Sequence, residues 1–482
     1  MKRPLLYTVL LVLLPLLLSG CGKKGSEVKE PHSEAELSGL TLATSNGTYY
    51  HLKYPQREDV KLYIANIETD AIQAVRQGLA DVFVSDEVML PTADQKRLGM
   101  KMVFRGEECF DVAFALKKGD TELMEQLNAF LDTAPIQAIT DHWIKGTPYV
   151  EEPPYEIDPD AEPLHCVAGV NISPVSYLCE GGEWKGIDPD ILRRFAHAIG
   201  RPFEMSWQDL GAAMIGLETG QAEIVSANLI ITEERKKSVA FSKPYYLCHP
   251  GYFVVDKSAG GGLSFTERFK MNLLTENRWR LITDGLGVTL IITICSILLG
   301  SLLGTGVCAC RRSKRKWLRK TADIYSDFIN GIPTLVLLLI MFYVVFASSG
   351  LNAIVVAIIT FSLCFASSSG AIFDNAISSV PVGQTEAGLS LGFTPFRTFT
   401  GIVFPQAVYK GLPLYIGECI ALLKNTSIVG YIAIQDLTRA SDIIRSRTFD
   451  ALVPLIIVTV LYFVLAWLLR RLLLLIIKKE AR

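Results

Sequence analysis

Two charged side chains stand where they could hold the ends of a small zwitterion. In Ile230-Ile231-Thr232-Glu233-Glu234-Arg235-Lys236-Lys237, Thr232 is placed to cap a helical turn and Arg235 falls inside that turn. Exposed N–H groups and a guanidinium then face one point, an arrangement suited to a carboxylate. Asp86 ends the strand-like run Ala80-Asp81-Val82-Phe83-Val84-Ser85-Asp86, at the edge where α/β sheets bind ligands. Asp81, on the same strand, is assigned a structural role. Far along the chain, Lys424, Asn425, Thr426 and Ser427 interrupt an apolar run, and polar groups inside a membrane segment face the bundle interior or a pathway. No nucleophile, paired carboxylates or metal-ligand spacing stands out, and no glycine-rich loop ends in Gly-Lys-Ser/Thr. The expectation is binding chemistry rather than catalysis, with no metal and no cofactor held by this chain.

The elements that must position these residues fall into two kinds of chain. Half of the 482 residues are hydrophobic and a fifth are charged, but the apolar runs crowd into the two ends, leaving a soluble body attached to membrane. A net charge of −2 argues neither for nucleic acid nor for an acidic substrate. Lys2, Arg3 and the apolar run Leu5 to Leu18 read as an export signal over residues 1–21, followed by a polar leash over 22–36. Strand-like 40–45, 61–66 and 80–86 alternate with a helix at 70–78, which means an α/β lobe with a mainly parallel sheet. Residues 147–162, rich in Pro and acid, form an extended, solvated linker. After it, 163–257 repeats the strand, turn and amphipathic-helix pattern. Cys109, Cys166, Cys179 and Cys248 fall in this body, and four cysteines allow three pairings into two disulfides.

Within the body the sequence resembles amino-acid-binding proteins of the periplasmic type. Lys118-Gly119-Asp120 with the helix after it and His142-Trp143-Ile144 look like the second lobe and closing tail (37–146). Gly186-Ile187-Asp188-Pro189-Asp190-Ile191, the Thr232–Lys237 run and Phe241-Ser242-Lys243-Pro244-Tyr245-Tyr246 look like the first lobe (163–257). The fold class implied is a two-lobed type II clamp in permuted order, the linker joining the usual termini; two incomplete tandem copies would be the competing arrangement. One covalent crossover, near 106–117, is expected between the lobes, with the first lobe leading directly into the membrane. By resemblance Arg235 takes the α-carboxylate, Asp86 takes the α-ammonium, and backbone N–H groups of Gly47 and Thr48 complete the carboxylate site, with Asn228 and Thr232 beside them. Where the family often has aromatics the aligned positions are Ile172 and Leu210, and Ile230 replaces a hydroxyl residue; Tyr49, Tyr177 and Trp207 could form an aromatic wall instead. Leu18-Ser19-Gly20-Cys21 resembles a lipobox, which implies acylation at Cys21.

The remainder is read as an interfacial linker (258–282) and an all-α membrane domain (283–482). Apolar runs at about 284–309, 333–348, 352–373, 411–433 and 450–475 make five transmembrane helices. Arg311 to Lys320 after the first run, and Arg470, Arg471, Lys478 and Lys479 after the last, both fall inside when the chain starts outside. Between the third and fourth runs, Glu386-Ala387-Gly388, Gly392, Ile402 and Phe404-Pro405 have the spacing of the EAA loop (383–407) of ABC importer permeases. It reads as a helix, a glycine turn and a second helix stopped by Pro405. The Lys424–Ser427 stretch resembles that family's pathway segment. Asn330-Gly331-Ile332-Pro333 resembles its Arg-Gly-Thr-Pro but lacks the arginine and the threonine. The resemblance implies an inner-membrane amino-acid permease with its binding domain outside. Its implied partners are separate ATPase subunits carrying ATP and Mg, and a second permease copy as a homodimer. A ligand-gated channel or sensor using the same clamp is the alternative; it needs a re-entrant pore element, which the sequence does not display.

Overall fold

The structure, a computed structural model, describes residues 30–179, 182–256, 264–347 and 349–480. The export signal, Cys21, residues 22–29 of the leash and residues 257–263 lie outside them.

Two five-stranded sheets organise the soluble half. The first has the order β2 (Lys61–Ala65), β1 (Thr41–Ser45), β3 (Val82–Asp86), β14 (Pro250–Val255), β4 (Met100–Arg105). β1 is parallel to β2 and β3, while β14 is antiparallel to both its neighbours. β3 is buried throughout, as expected of a central strand covered on both faces. Helix Glu68–Arg76 lays Ala71, Ile72 and Val75 on this sheet against Phe83 and Phe253. Asp81 accepts from Thr41 N at 2.8 Å, tying β3 to β1.

The second sheet has the order β10 (Phe203–Trp207), β7 (Leu164–Ala168), β11 (Ile224–Ser226), β6 (Ala115–Leu116), β12 (Ala240–Phe241). Its core gathers Leu123, Leu127 and Ile139 from helices Thr121–Thr133 and Ile136–Lys145 with Ile191 and Phe195 of helix Ile187–Ala198. A short pair, β8 (Tyr177–Leu178) and β9 (Trp184–Lys185), stands beside it.

Between the sheets the chain crosses twice. β5 (Phe110–Val112) leads from the first to the second, and β13 (Tyr246–Cys248) leads back, paired antiparallel with β5. This corrects the expected single crossover. It also moves residues 250–255 out of the expected 163–257 lobe: buried Tyr252, Phe253 and Val254 fill the core of the first sheet as β14 slots between β3 and β4. The chain therefore leaves for the membrane from the β1 lobe, not from the other one. The linker differs too. Residues 147–163 carry no regular element, but buried Arg194 holds the carbonyls of Val150 and Glu151, and His197 meets Glu152 at 2.5 Å. Those contacts pin it to helix Ile187–Ala198. The four cysteines of the body are free thiols, with Cys166 and Cys248 buried.

In the membrane half, Thr275–Arg311, Ala353–Ser378 and Leu452–Leu475 are long and apolar enough to cross. A fourth candidate is the pair Lys316–Gly331 and Thr334–Val345, bent by 101°. Ile332 and Pro333 are both extended there, since a residue before proline is pushed out of the helical region. Such a bend could be a broken span or a re-entrant element, which the sequence did not display. The expected run at 411–433 falls in helix Phe404–Asn425, whose prolines, glycines and charged residues leave it less apolar than the three. Gly300, Gly304 and Gly370 bring two of the crossing helices into backbone contact, and a Cβ on Gly304 would overlap Ser369 Oγ.

Candidate functional site

A cavity of about 90 Å3 lies between the two sheets. β3 delivers Asp86 from one lobe, and the segment after β11 delivers Asn228 and Arg235 from the other. Asp86 is only 7% exposed. It accepts from Tyr50 Oη at 2.6 Å and from Asn228 Nδ2, with the Cys248 thiol at 3.6 Å. Burial raises its pKa, opposed by these bonds and by the charge of Arg235. Asn228 holds φ 51, a left-handed conformation that asparagine tolerates better than most non-glycine residues.

Arg235 reaches across the cleft. Its Nη2 donates to Gly47 O at 2.6 Å, while Nη1 donates to Ile230 O at 2.8 Å. Thr232 Oγ1 accepts from Arg235 N at 3.2 Å, but the capped element is only the 3-10 turn Arg235–Lys237. Burial lowers the Arg235 pKa and Asp86 opposes that shift. The expectation for Gly47 and Thr48 needs correction. Gly47 N donates to His51 Nδ1 at 3.1 Å and Thr48 N to Ser45 O at 3.4 Å. The tight turn ahead of helix Tyr49–Lys53, with Gly47 at φ 77, consumes both donors and turns a carbonyl toward Arg235.

Thr48, Asp86, Asn228 and Arg235 line the cavity, as do Tyr49, Ile172, Trp207, Leu210 and Ile230. Gly47 and Thr232 support it through Arg235, whereas Tyr177 lies elsewhere, beneath Arg447. Three contributors were not legible. Tyr50 bonds Asp86. Glu68, at the start of its helix, lines the cavity; burial raises its pKa, and Asp86 adds to the shift. Arg439 comes from helix Leu437–Thr448, between the last two membrane helices, and lies 3.3 Å from the centroid of the Trp207 ring. Its pKa is lowered to about 10 by burial, with Asp442 and Asp209 opposing. The available signal was the N-cap residue Asp436 followed by a polar, arginine-bearing helix between two apolar runs.

The 383–407 segment forms a knuckle. Helix Val382–Ser390 ends at Gly392, φ 82, and Thr394 caps a second helix beginning at Pro395. Gly388 is buried where the two helices cross, while Glu386, Ala387 and Gly392 are exposed. Pro405 does not stop the second helix. A π turn at Phe399–Val403 precedes it, and the chain continues into Phe404–Asn425 with the proline in its first turn, where its missing N–H leaves no interior bond broken. Val382, Leu391 and Phe396 stand 72–76% exposed on this knuckle. Lys424 and Asn425 are exposed and Thr426 is buried, its Oγ1 donating to Leu423 O at 2.7 Å, with Ser427 half-buried. The helix ends at Asn425 and a 3-10 segment takes over, so the four do not share one lining.

Residues 296–480 match the family described as binding-protein-dependent transport system inner membrane component. Residues 164–387 match bacterial extracellular solute-binding proteins, family 3. Over 183 residues the chain is 33% identical to the probable amino-acid ABC transporter permease protein YckA of Bacillus subtilis (strain 168), spanning 38% of this chain and 81% of that one. The chain belongs to the amino-acid ABC transporter permeases. It is also 32% identical over 200 residues to the L-cystine transport system permease protein TcyB of the same organism, covering 41% of this chain and 86% of the relative. A solved structure described as an amino acid ABC transporter with histidines is 31% identical, covering 45% of this chain and all of that one at a TM-score of 0.40. This ABC permease is a multi-pass inner-membrane protein with a fused solute-binding domain. Membership decides between a permease and a ligand-gated channel.

Proposed function

We propose that this permease imports a polar amino acid, captured outside the membrane by a clamp whose lobes occur in permuted order. The observation that carries the reading is the meeting of Asp86 and Arg235 from different lobes at one cavity. Their charges suit the α-ammonium and the α-carboxylate, and a ligand bridging both lobes favours closure by its differential contacts. Permutation accounts for the topology: chain order runs from the β1 lobe to the other and back, with residues 147–162 joining two ends that lie together at the surface.

The knuckle at 383–407 receives a separate ATPase subunit, which holds ATP and Mg. Its exposed Leu391 and Phe396 form the kind of apolar patch that marks a protein contact. Glu386, Ala387, Gly388, Gly392, Ile402 and Pro405 shape that surface. Five crossings, counting the bent pair and helix Phe404–Asn425, place the knuckle and the terminal Arg470 and Arg471 in the cytoplasm. Two copies enclose the pathway as a homodimer, with Lys424, Asn425, Thr426 and Ser427 beside the route. Cys21 carries the lipid anchor.

Calorimetric titration of the full chain in detergent with the twenty amino acids and L-cystine tests the reading. One or a few should bind, and Arg235→Ala should weaken them roughly 10- to 100-fold, the range for losing a charge-assisted hydrogen bond. Failure of every ligand to bind a folded sample refutes it.

A further inference from the structure

Helix Leu437–Thr448 is rooted in the membrane bundle and reaches into the clamp. Asp436 caps it, accepting from Arg439 N at 2.9 Å, and receives Tyr462 Oη of the last helix at 3.2 Å. Leu437 N donates to Thr289 Oγ1 of the first membrane helix at 3.1 Å. A Cβ on Gly285 would stand 2.6 Å from Asp436 O, so the two backbones touch there. The far end of the helix meets both lobes. Arg445 pairs with Asp70 at 2.5 Å in the β1 lobe, and Arg447 donates to Leu178 O at 3.0 Å in the other.

Between these anchors Arg439 lies over the Trp207 ring and donates to Trp207 O at 3.0 Å. Both residues line the cavity that holds Asp86 and Arg235. In the same arrangement the charged groups of the cavity are bonded across the cleft to protein partners, Asp86 to Asn228 and Arg235 to the Gly47 carbonyl. An amino acid taking its place between Asp86 and Arg235 meets a Trp207 face already covered by a planar cation. Arginine is the side chain best suited to that role, because its guanidinium stacks flat on an aromatic ring and keeps its charge when buried.

We propose that Arg439 is a tethered competitor for the substrate side chain at Trp207, so that seating the clamp on helix Leu437–Thr448 weakens substrate binding at the entrance to the membrane domain. The proposal rests on the amino-acid reading above. It assigns to the membrane domain a residue that touches the substrate subsite.

The test is calorimetric titration of the full chain in detergent with L-glutamine, L-cystine, L-histidine and L-arginine, comparing wild type, Arg439→Ala, Arg439→Lys and Arg445→Ala. Arg439→Ala should bind its preferred probe about tenfold tighter or more. Arg439→Lys should fall between, since lysine keeps the charge without the planar stack. Arg445→Ala, which carries no group into the cavity but loosens the helix from Asp70, should also tighten binding. Unchanged or weaker binding in Arg439→Ala, with thermal unfolding intact, overturns the proposal; if that variant does not fold, Arg445→Ala decides by the same criterion. Failure of all four probes on every variant refutes the amino-acid reading and the competitor with it, whereas equal binding by all variants refutes the competitor alone.

Discussion

Asp188 lies wholly buried in the first turn of helix Ile187–Ala198, where Tyr245 Oη donates to it at 2.5 Å. Burial raises its pKa to about 7, and the Tyr245 bond only partly opposes this. The folded protein thus holds this proton more tightly than the unfolded chain, whose carboxyl titrates near 4. Linkage then makes its effect on stability most favourable below about pH 4 and progressively worse as pH rises from about 4 to 7, by on the order of a few kcal/mol. Melting temperatures across that window should fall in the wild type and fall less in Asp188→Asn; parallel curves would refute the assignment. At this scale the sequence was legible where a residue ends a local element. Asp86 closes a strand and Arg235 follows a capping threonine, so both stood out. Arg439 and Tyr50 did not, because each owes its place to a partner on a distant stretch, and a pairing of Trp207 with Arg439 leaves no local pattern.

Elements carry their information in crossings and breaks. Gly388 has no room for a side chain: a Cβ there would lie 2.6 Å from Thr398 Cγ2 and 3.0 Å from Ile402 Cδ1. Gly388→Val should splay the knuckle, at a cost of about 1–3 kcal/mol from overpacking. Uptake into proteoliposomes containing the ATPase should collapse while the affinity of the clamp for its amino acid stays within about twofold. Loss of both together would mean that the knuckle supports the whole fold instead. The helix–turn–helix form of this segment was legible because glycine and the capping threonine mark it. Its exit was misread at Pro405, since a proline in the first turn of a new helix is indistinguishable in sequence from one that ends an old helix. The 101° bend at Ile332-Pro333 was hidden for a similar reason: an apolar run records composition and says nothing of direction.

Across the whole molecule, the two-strand hinge changes what cutting the chain would do. Residues 107–109 are exposed and lie between β4 and β5. A protease site engineered there would sever one crossing and leave the other, β13, together with its pairing to β5. The nicked protein should keep its halves together on a sizing column and bind its amino acid within about tenfold of the intact chain. Separation of the halves, or loss of binding, would show that β13 alone does not hold the hinge. The sequence displayed two lobes of alternating strands and helices but not the boundary between them near residue 250. β13 and β14 are a nearly continuous extended stretch, and nothing in its composition tells that the second strand enters the opposite sheet. That return to the β1 lobe has a consequence for supply. Only seven residues, 257–263, separate the described end of the clamp from the first helix on the membrane side. At that span the permease meets its own clamp at a millimolar effective concentration, so capture becomes a unimolecular step. Uptake would not scale with the abundance of a free carrier, and its ceiling would be the rate at which one resident clamp empties and refills.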